Sequence, residues 1–170
     1  MMIHEMVTEC KGFDILTMGR PEGPACYCYV NHLLRKFLDG LSEAAPFVVI
    51  DNEAGMEHLS RLTTNDVELL IEVAAPMVPD IVAACRIDQL VEKLPMTVGR
   101  RGLVINRSDG RMSEKIEKMI VDAGLDVLGR VPTSEGVAGL SQEGEPVTGL
   151  PADDPALKAV TEIVKEHVLD

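Results

Sequence analysis

The chain has 170 residues, 46% hydrophobic and 26% charged, values that exclude global disorder and collagen-like structure and suit a single domain. Twenty-eight acidic residues against sixteen basic ones give a net charge of −12, a field that repels nucleic acid and excludes a basic DNA- or RNA-binding module. Aromatics are 3% and Trp is absent, so the core is expected to be aliphatic.

In chain order, short β-branched runs alternate with longer helical patterns. Phe13–Met18 predicts a strand, followed by a turn rich in Gly and Pro (Gly19, Pro21, Gly23, Pro24). Cys26–Leu41 predicts a helix, with Val30, Leu33, Leu34, Phe37, Leu38 and Leu41 at three- and four-residue spacing. Phe47–Ile50 is wholly apolar, as expected of a parallel strand covered on both faces. Val67–Ala74 predicts the next strand, and Pro79–Leu94 a helix with proline in its first turn.

Gly102–Asn106 predicts a strand, Ser113–Ala123 an amphipathic helix stopped by Gly124, and Leu125–Val131 another strand. Gly136–Leu150 reads as irregular. Asp153-Asp154-Pro155 opens a final helix, Ala156–Val168, with acids at its positive end. Residues 1–170 therefore predict one α/β domain with a mostly parallel, doubly wound sheet. Its ligands belong at the carboxyl ends of the strands, in the loops after Met18, Asp51, Ala74, Asn106 and Val131.

No apolar segment reaches the roughly 18–20 residues of a membrane span. Met1–Cys10 carries Glu5 and Glu9 and no export signal. Four cysteines are too few for a disulfide scaffold, so reduced thiols in a cytoplasmic protein are expected.

Three loops carry chemistry. Asp51, at the tip of the apolar run and followed by Asn52-Glu53-Ala54-Gly55, is a Walker-B arrangement whose carboxylate can hold a water of hydrated Mg²⁺. Strand-terminal aspartates also cap helices, and the spacing alone leaves both roles open. Cys26 and Cys28 stand at the start of a helix, where the dipole favours thiolates. They are either two unrelated thiols or half of a tetrahedral site that a two-fold partner completes. Asn106 ends a strand and can offer an amide donor and a carbonyl acceptor to an adenine edge, though polar residues end many strands. His4, His32 and His167 read as solvated, with His58 a possible neighbour of the Asp51 loop. Cys10 and Cys85 read as ordinary thiols, the latter on the apolar side of its helix.

The stretch Gly19-Arg20-Pro21-Glu22-Gly23-Pro24-Ala25-Cys26-Tyr27-Cys28-Tyr29-Val30-Asn31 resembles the hallmark of CooC-type ATPases, the nickel-insertion accessory proteins of carbon monoxide dehydrogenase. Asp51–Arg61 resembles the switch II of that family, whose wider relatives are the MinD/ParA and nitrogenase-iron-protein group. Ala25 stands where the family pattern has glycine. The resemblance implies a P-loop NTPase fold and an ATP-driven homodimer, with nickel or zinc held between two Cys26/Cys28 pairs and delivered to the dehydrogenase. It also implies ATP or ADP with Mg²⁺ as cofactor, Asp51 as the Mg²⁺-coupling acid, Asn106 reading adenine, and Arg107 and Pro132 flanking the base.

No Gly-x-x-x-x-Gly-Lys motif occurs, and none of the seven lysines follows a glycine. The expectation is a portion of a longer ATPase, incomplete at its N-terminus and lacking the phosphate loop, which alone binds ATP weakly or not at all. The alternative function is a non-catalytic metal-binding dimerisation module derived from the same family. A positioning ATPase of the MinD type is disfavoured, because Val160–Asp170 is mixed in charge rather than basic and amphipathic.

Overall fold

The structure, a computed structural model, describes residues 7–17, 45–52 and 66–169. The predicted helix Cys26–Leu41, the metal-ligand pair Cys26 and Cys28, and His4, His32 and His58 lie outside those residues. The chain falls into two compact units, residues 1–65 and 66–170.

In the first unit, β1 (Val7–Cys10) and β2 (Phe13–Leu16) form an antiparallel hairpin, Val7 opposite Leu16 and Cys10 opposite Phe13. The strand expected at Phe13–Met18 is thus shorter, and it pairs with a segment to which the pattern assigned no element. Lys11-Gly12 makes the turn, Gly12 taking a φ of 91° that glycine adopts without strain. Phe47–Ile50 corrects the expectation of a doubly covered strand. It pairs with no described strand, and Val49 is 90% exposed. An apolar tetrapeptide becomes a buried strand only where ladder partners flank it, and among the described residues none does.

The second unit is an α/β layer. Strands β3 (Asp66–Ala74), β4 (Thr97–Asn106) and β5 (Val127–Val131) form a parallel sheet in the order β3-β4-β5. Helix α1 (Val78–Val91) connects β3 to β4, and α2 (Glu114–Asp122) connects β4 to β5. Parallel neighbours need such crossovers, and the near-continuous apolar run at the end of β4 fits a strand covered on both faces. On one face Leu103 and Ile105 pack with Ala74 and with Ile81 and Ala84 of α1 and Ile116 and Ile120 of α2. On the other, Val104, Leu128 and Val131 pack with Ala156 and Ile163 of α4 (Pro155–Val164). That contact needs glycine at 129, where a Cβ would stand 2.5 Å from Ile163 Cγ1. Cys85 packs against the first core as a free thiol, and burial pushes its pKa up.

The caps follow the sequence signals. Ser113 accepts the Ile116 N–H at the start of α2, and Gly124, with φ 67°, follows its end. Asp154 accepts from Ala156 N and Leu157 N at the start of α4, with Pro155 in the first turn.

Two expectations are corrected here. Gly136–Leu150 is not irregular, because α3 (Glu135–Glu143) and a 3₁₀ turn at Val147–Gly149 occupy it. Ser134 caps α3 through Val137 N at 3.0 Å and Gly144 closes it with φ 72°, so end signals outweigh the low helix propensity of Gly136 and Gly139. His167 is not solvated. A π-type turn over Lys165–Leu169 continues α4 and lays its ring against β5, with the side chain 10% exposed. Its Nε2 lies 2.9 Å from the Leu128 carbonyl and its Nδ1 3.2 Å from Arg100 Nη1, so Nε2–H donates and Nδ1 accepts from the guanidinium.

The two caps around α3 and α4 are joined. Ser134 Oγ donates to Asp154 Oδ2 at 2.6 Å while accepting from Val137. That hydroxyl, then the Leu157 and Ala156 amides, hold the Asp154 carboxyl below its ordinary 3.8 against the opposing effect of burial. Its contribution to stability is therefore complete above pH 3.8 and fades as pH falls through the depressed value. Ser134→Ala should lower stability by about 1–2 kcal/mol, the ordinary cost of a lost cap with a broken polar partner, measurable by urea unfolding at pH 7.

Candidate functional site

The loops after β4 and β5 meet at the carboxyl ends of their strands, where the register sets Asn106 opposite Val131. Asn106 Oδ1 accepts the Arg107 N–H at 2.9 Å. Arg107 takes φ 55°, an uncommon conformation for a residue other than glycine, and one that clusters at ligand-binding turns. The turn aims the next amide back at the sheet, where Ser108 N donates to the Val131 carbonyl at 2.9 Å. Two further bonds tie the loops together, Arg130 Nη1 to the Gly110 carbonyl at 3.2 Å and Thr133 Oγ1 to the Asp109 carboxylate. Pro132, half-buried, follows Val131 directly.

Asn106 and Arg107 at the end of β4 and Pro132 after β5 therefore stand at adjacent strand ends, whose loops these bonds tie together. The Asn106 Oδ1 keeps a second lone pair, and its Nδ2 makes no hydrogen bond to a described residue. An amide with one donor group and one acceptor position available can pair with a partner that offers both an acceptor and a donor. Asp51 is exposed in the first unit. Among the described residues no group of three or more His, Cys, Asp or Glu side chains could hold a metal ion.

Ser108, Asp109, Thr133 and Arg130 were not singled out by sequence reasoning. Ser108 is 4% exposed and its Oγ has no hydrogen-bond partner among the described residues, an unusual state for a buried hydroxyl. The one available signal was Ser134-Glu135 after Pro132-Thr133, a helix-start pattern that positions this loop.

No family model matches the chain. The chain is 37% identical over 166 residues to an uncharacterized ATP-binding protein of Methanocaldococcus jannaschii, covering 98% of this chain and 66% of that protein. It is 28% identical over 139 residues to the carbon monoxide dehydrogenase accessory protein CooC of Rhodospirillum rubrum, covering 78% of this chain and 51% of that one. Among solved structures, a ParA family ATPase of Chlorobium tepidum superposes with a TM-score of 0.71 at 17% identity, over 99% of this chain and 69% of that one. The septum site-determining protein MinD of Pyrococcus horikoshii, complexed with Mg-ADP, gives a TM-score of 0.70 at 17% identity, over 99% and 70%. The fold is that of the MinD/ParA-like P-loop NTPases. It spans about two thirds of the length of the Methanocaldococcus relative and half that of CooC. Among the described residues no helix is long and apolar enough to cross a membrane.

Proposed function

We propose that the protein is an ATP-dependent accessory protein of the CooC type, which works as a cytoplasmic homodimer and delivers nickel to carbon monoxide dehydrogenase. The observation that carries the nucleotide half of this reading is the Asn106–Arg107 turn bonded against the loop of Pro132. Its support for the metal half is the Cys26-Tyr27-Cys28 stretch and the 28% identity to a carbon monoxide dehydrogenase accessory protein.

In this reading residues 1–170 act as one α/β domain. The Asn106 side chain reads the adenine edge, while Arg107 and Pro132 flank the ring. The Asp51 carboxylate holds a water of the nucleotide's Mg²⁺. Cys26 and Cys28, with the same pair of a second copy, hold the cargo ion, nickel or zinc, in a four-thiolate site. Bound MgATP supplies a phosphoanhydride whose hydrolysis separates the closed and open dimers.

The test uses the full chain titrated with nickel and with zinc, with and without ATP. One ion per two chains is expected, lost in Cys26→Ser/Cys28→Ser, with the dimer strengthened by ATP. Because the sequence holds no Gly-x-x-x-x-Gly-Lys loop, ATP affinity is expected to be weaker than micromolar. Asn106→Ala should reduce the remaining affinity about tenfold, the effect of one lost hydrogen-bonded contact. A metal dimer equally tight without ATP supports the second reading, a non-catalytic metal-binding dimerisation module. Equal metal binding by the double serine variant overturns both.

A further inference from the structure

A cleft of about 420 Å³ has Glu72, Asp88, Glu92, Arg100, Arg101 and Asp126 among its walls. It is built from Glu72 near the carboxyl end of β3, the first half of β4, the end of α1 and the turn before β5, all within residues 66–170, and it shares no residue with the Asn106 loops. Four carboxylates face two guanidiniums, and both guanidiniums are engaged. Arg100 Nη2 pairs with Asp126 at 3.0 Å, and Arg101 pairs with Asp88 at 2.9 Å and Glu92 at 3.4 Å. Glu72 is left over. It is 6% exposed on β3, and its Oε2 has no hydrogen-bond partner among the described residues.

A buried carboxylate without a partner is costly, and one that lines a cleft is a place for a cation. Hard divalent ions need several converging oxygens, and among the described residues no such group exists. The cleft has the volume of a small-molecule site rather than that of a single ion. Nitrogen cations need fewer ligands, since each N–H donates one directed bond, and an alkyl chain can lie along Val98 and Leu125 of the same cleft. We infer that this cleft binds a small organic cation, an amine or guanidine, whose charged nitrogen pairs with the Glu72 carboxylate.

Occupancy would be coupled to proton release. Burial first, then the like charge of Asp88, raises Glu72 from 4.5 to about 7, with Arg101 opposing them. Glu92 from the end of α1, Arg100 from β4 and Asp126 before β5 also face the cleft, and Cys85 of α1 shares the field of Glu72. A cation selects the ionised carboxylate, so about tenfold tighter binding is expected at pH 8 than at pH 6.

The experiment is calorimetric titration of the full chain with agmatine and with putrescine, in moderate salt that screens general attraction to an acidic surface. One site is expected at pH 8, weakened about tenfold at pH 6, abolished by Glu72→Gln and unchanged by Glu114→Gln, an exposed carboxylate on α2. Tighter agmatine would identify the guanidinium as the preferred head group, and tighter putrescine the ammonium. Binding that survives Glu72→Gln, or its absence from the wild type at millimolar ligand, overturns the inference. Neither outcome touches the reading of the Asn106 loops.

Discussion

Ile105→Ala should lower stability by about 3–4 kcal/mol, a large part of the roughly 5–15 kcal/mol that holds a domain folded. Ile105 is fully buried in the centre of the sheet and packs between α1 and α2. Truncation removes apolar area from the core and leaves a cavity, because β4 is fixed by ladders to β3 and β5 and cannot collapse into it. Ile105 also precedes Asn106, so the same cavity loosens the turn on which the nucleotide reading rests. Urea unfolding should show a lower midpoint with an unchanged slope. A loss below 1 kcal/mol would mean that the helices repack over the gap.

Glu72→Gln is expected to act in the opposite direction. The folded chain keeps a proton on Glu72 up to about pH 7, whereas the unfolded chain releases it near 4.5. Between those values the folded state binds more protons, so the Glu72 contribution to stability falls as pH rises and is fully lost above pH 7. At 1.36 kcal/mol per pKa unit a dry site would give about 3 kcal/mol. The cleft beside Glu72 admits solvent, which reduces the figure to about 2 kcal/mol. Glutamine keeps the shape without the charge, so the variant should gain about that much at pH 8, with a Tm higher by about 4–8 °C, and little at pH 5. A variant less stable than the wild type at pH 8 would show that the Arg101 pairs depend on the Glu72 charge.

Much of the second unit was legible before any coordinates. The runs ending at Ala74, Asn106 and Val131 became the three parallel strands, and their carboxyl ends were the loops expected to carry ligands. Ser113, Gly124 and Asp154-Pro155 marked helix ends that the structure bears out, because caps act through amides only a few residues away. The α3 segment was missed because Gly136 and Gly139 weigh against a helix in any count of propensity, while Ser134 and Gly144 decide it from the two ends. The apolar run before Asp51 promised a strand, but hydrophobicity states only that burial would be favourable and does not provide a ladder partner.

The amino-acid order alone determined the acidic character, the alternation of strand and helix, and the place of Asn106 at a strand end. Periodicity and caps are local, and they act before distant segments meet. Tertiary structure alone decided that Glu72 is buried with its Oε2 unpartnered among the described residues while Asp88 and Glu92 share Arg101, that His167 closes on the Leu128 carbonyl, and that Arg107 turns through a positive φ. Each of these depends on which face of β4 a helix covers and where a neighbouring strand stops. The free energy of a charge or a strained turn is set by those distant neighbours, not by the residues beside it in the chain.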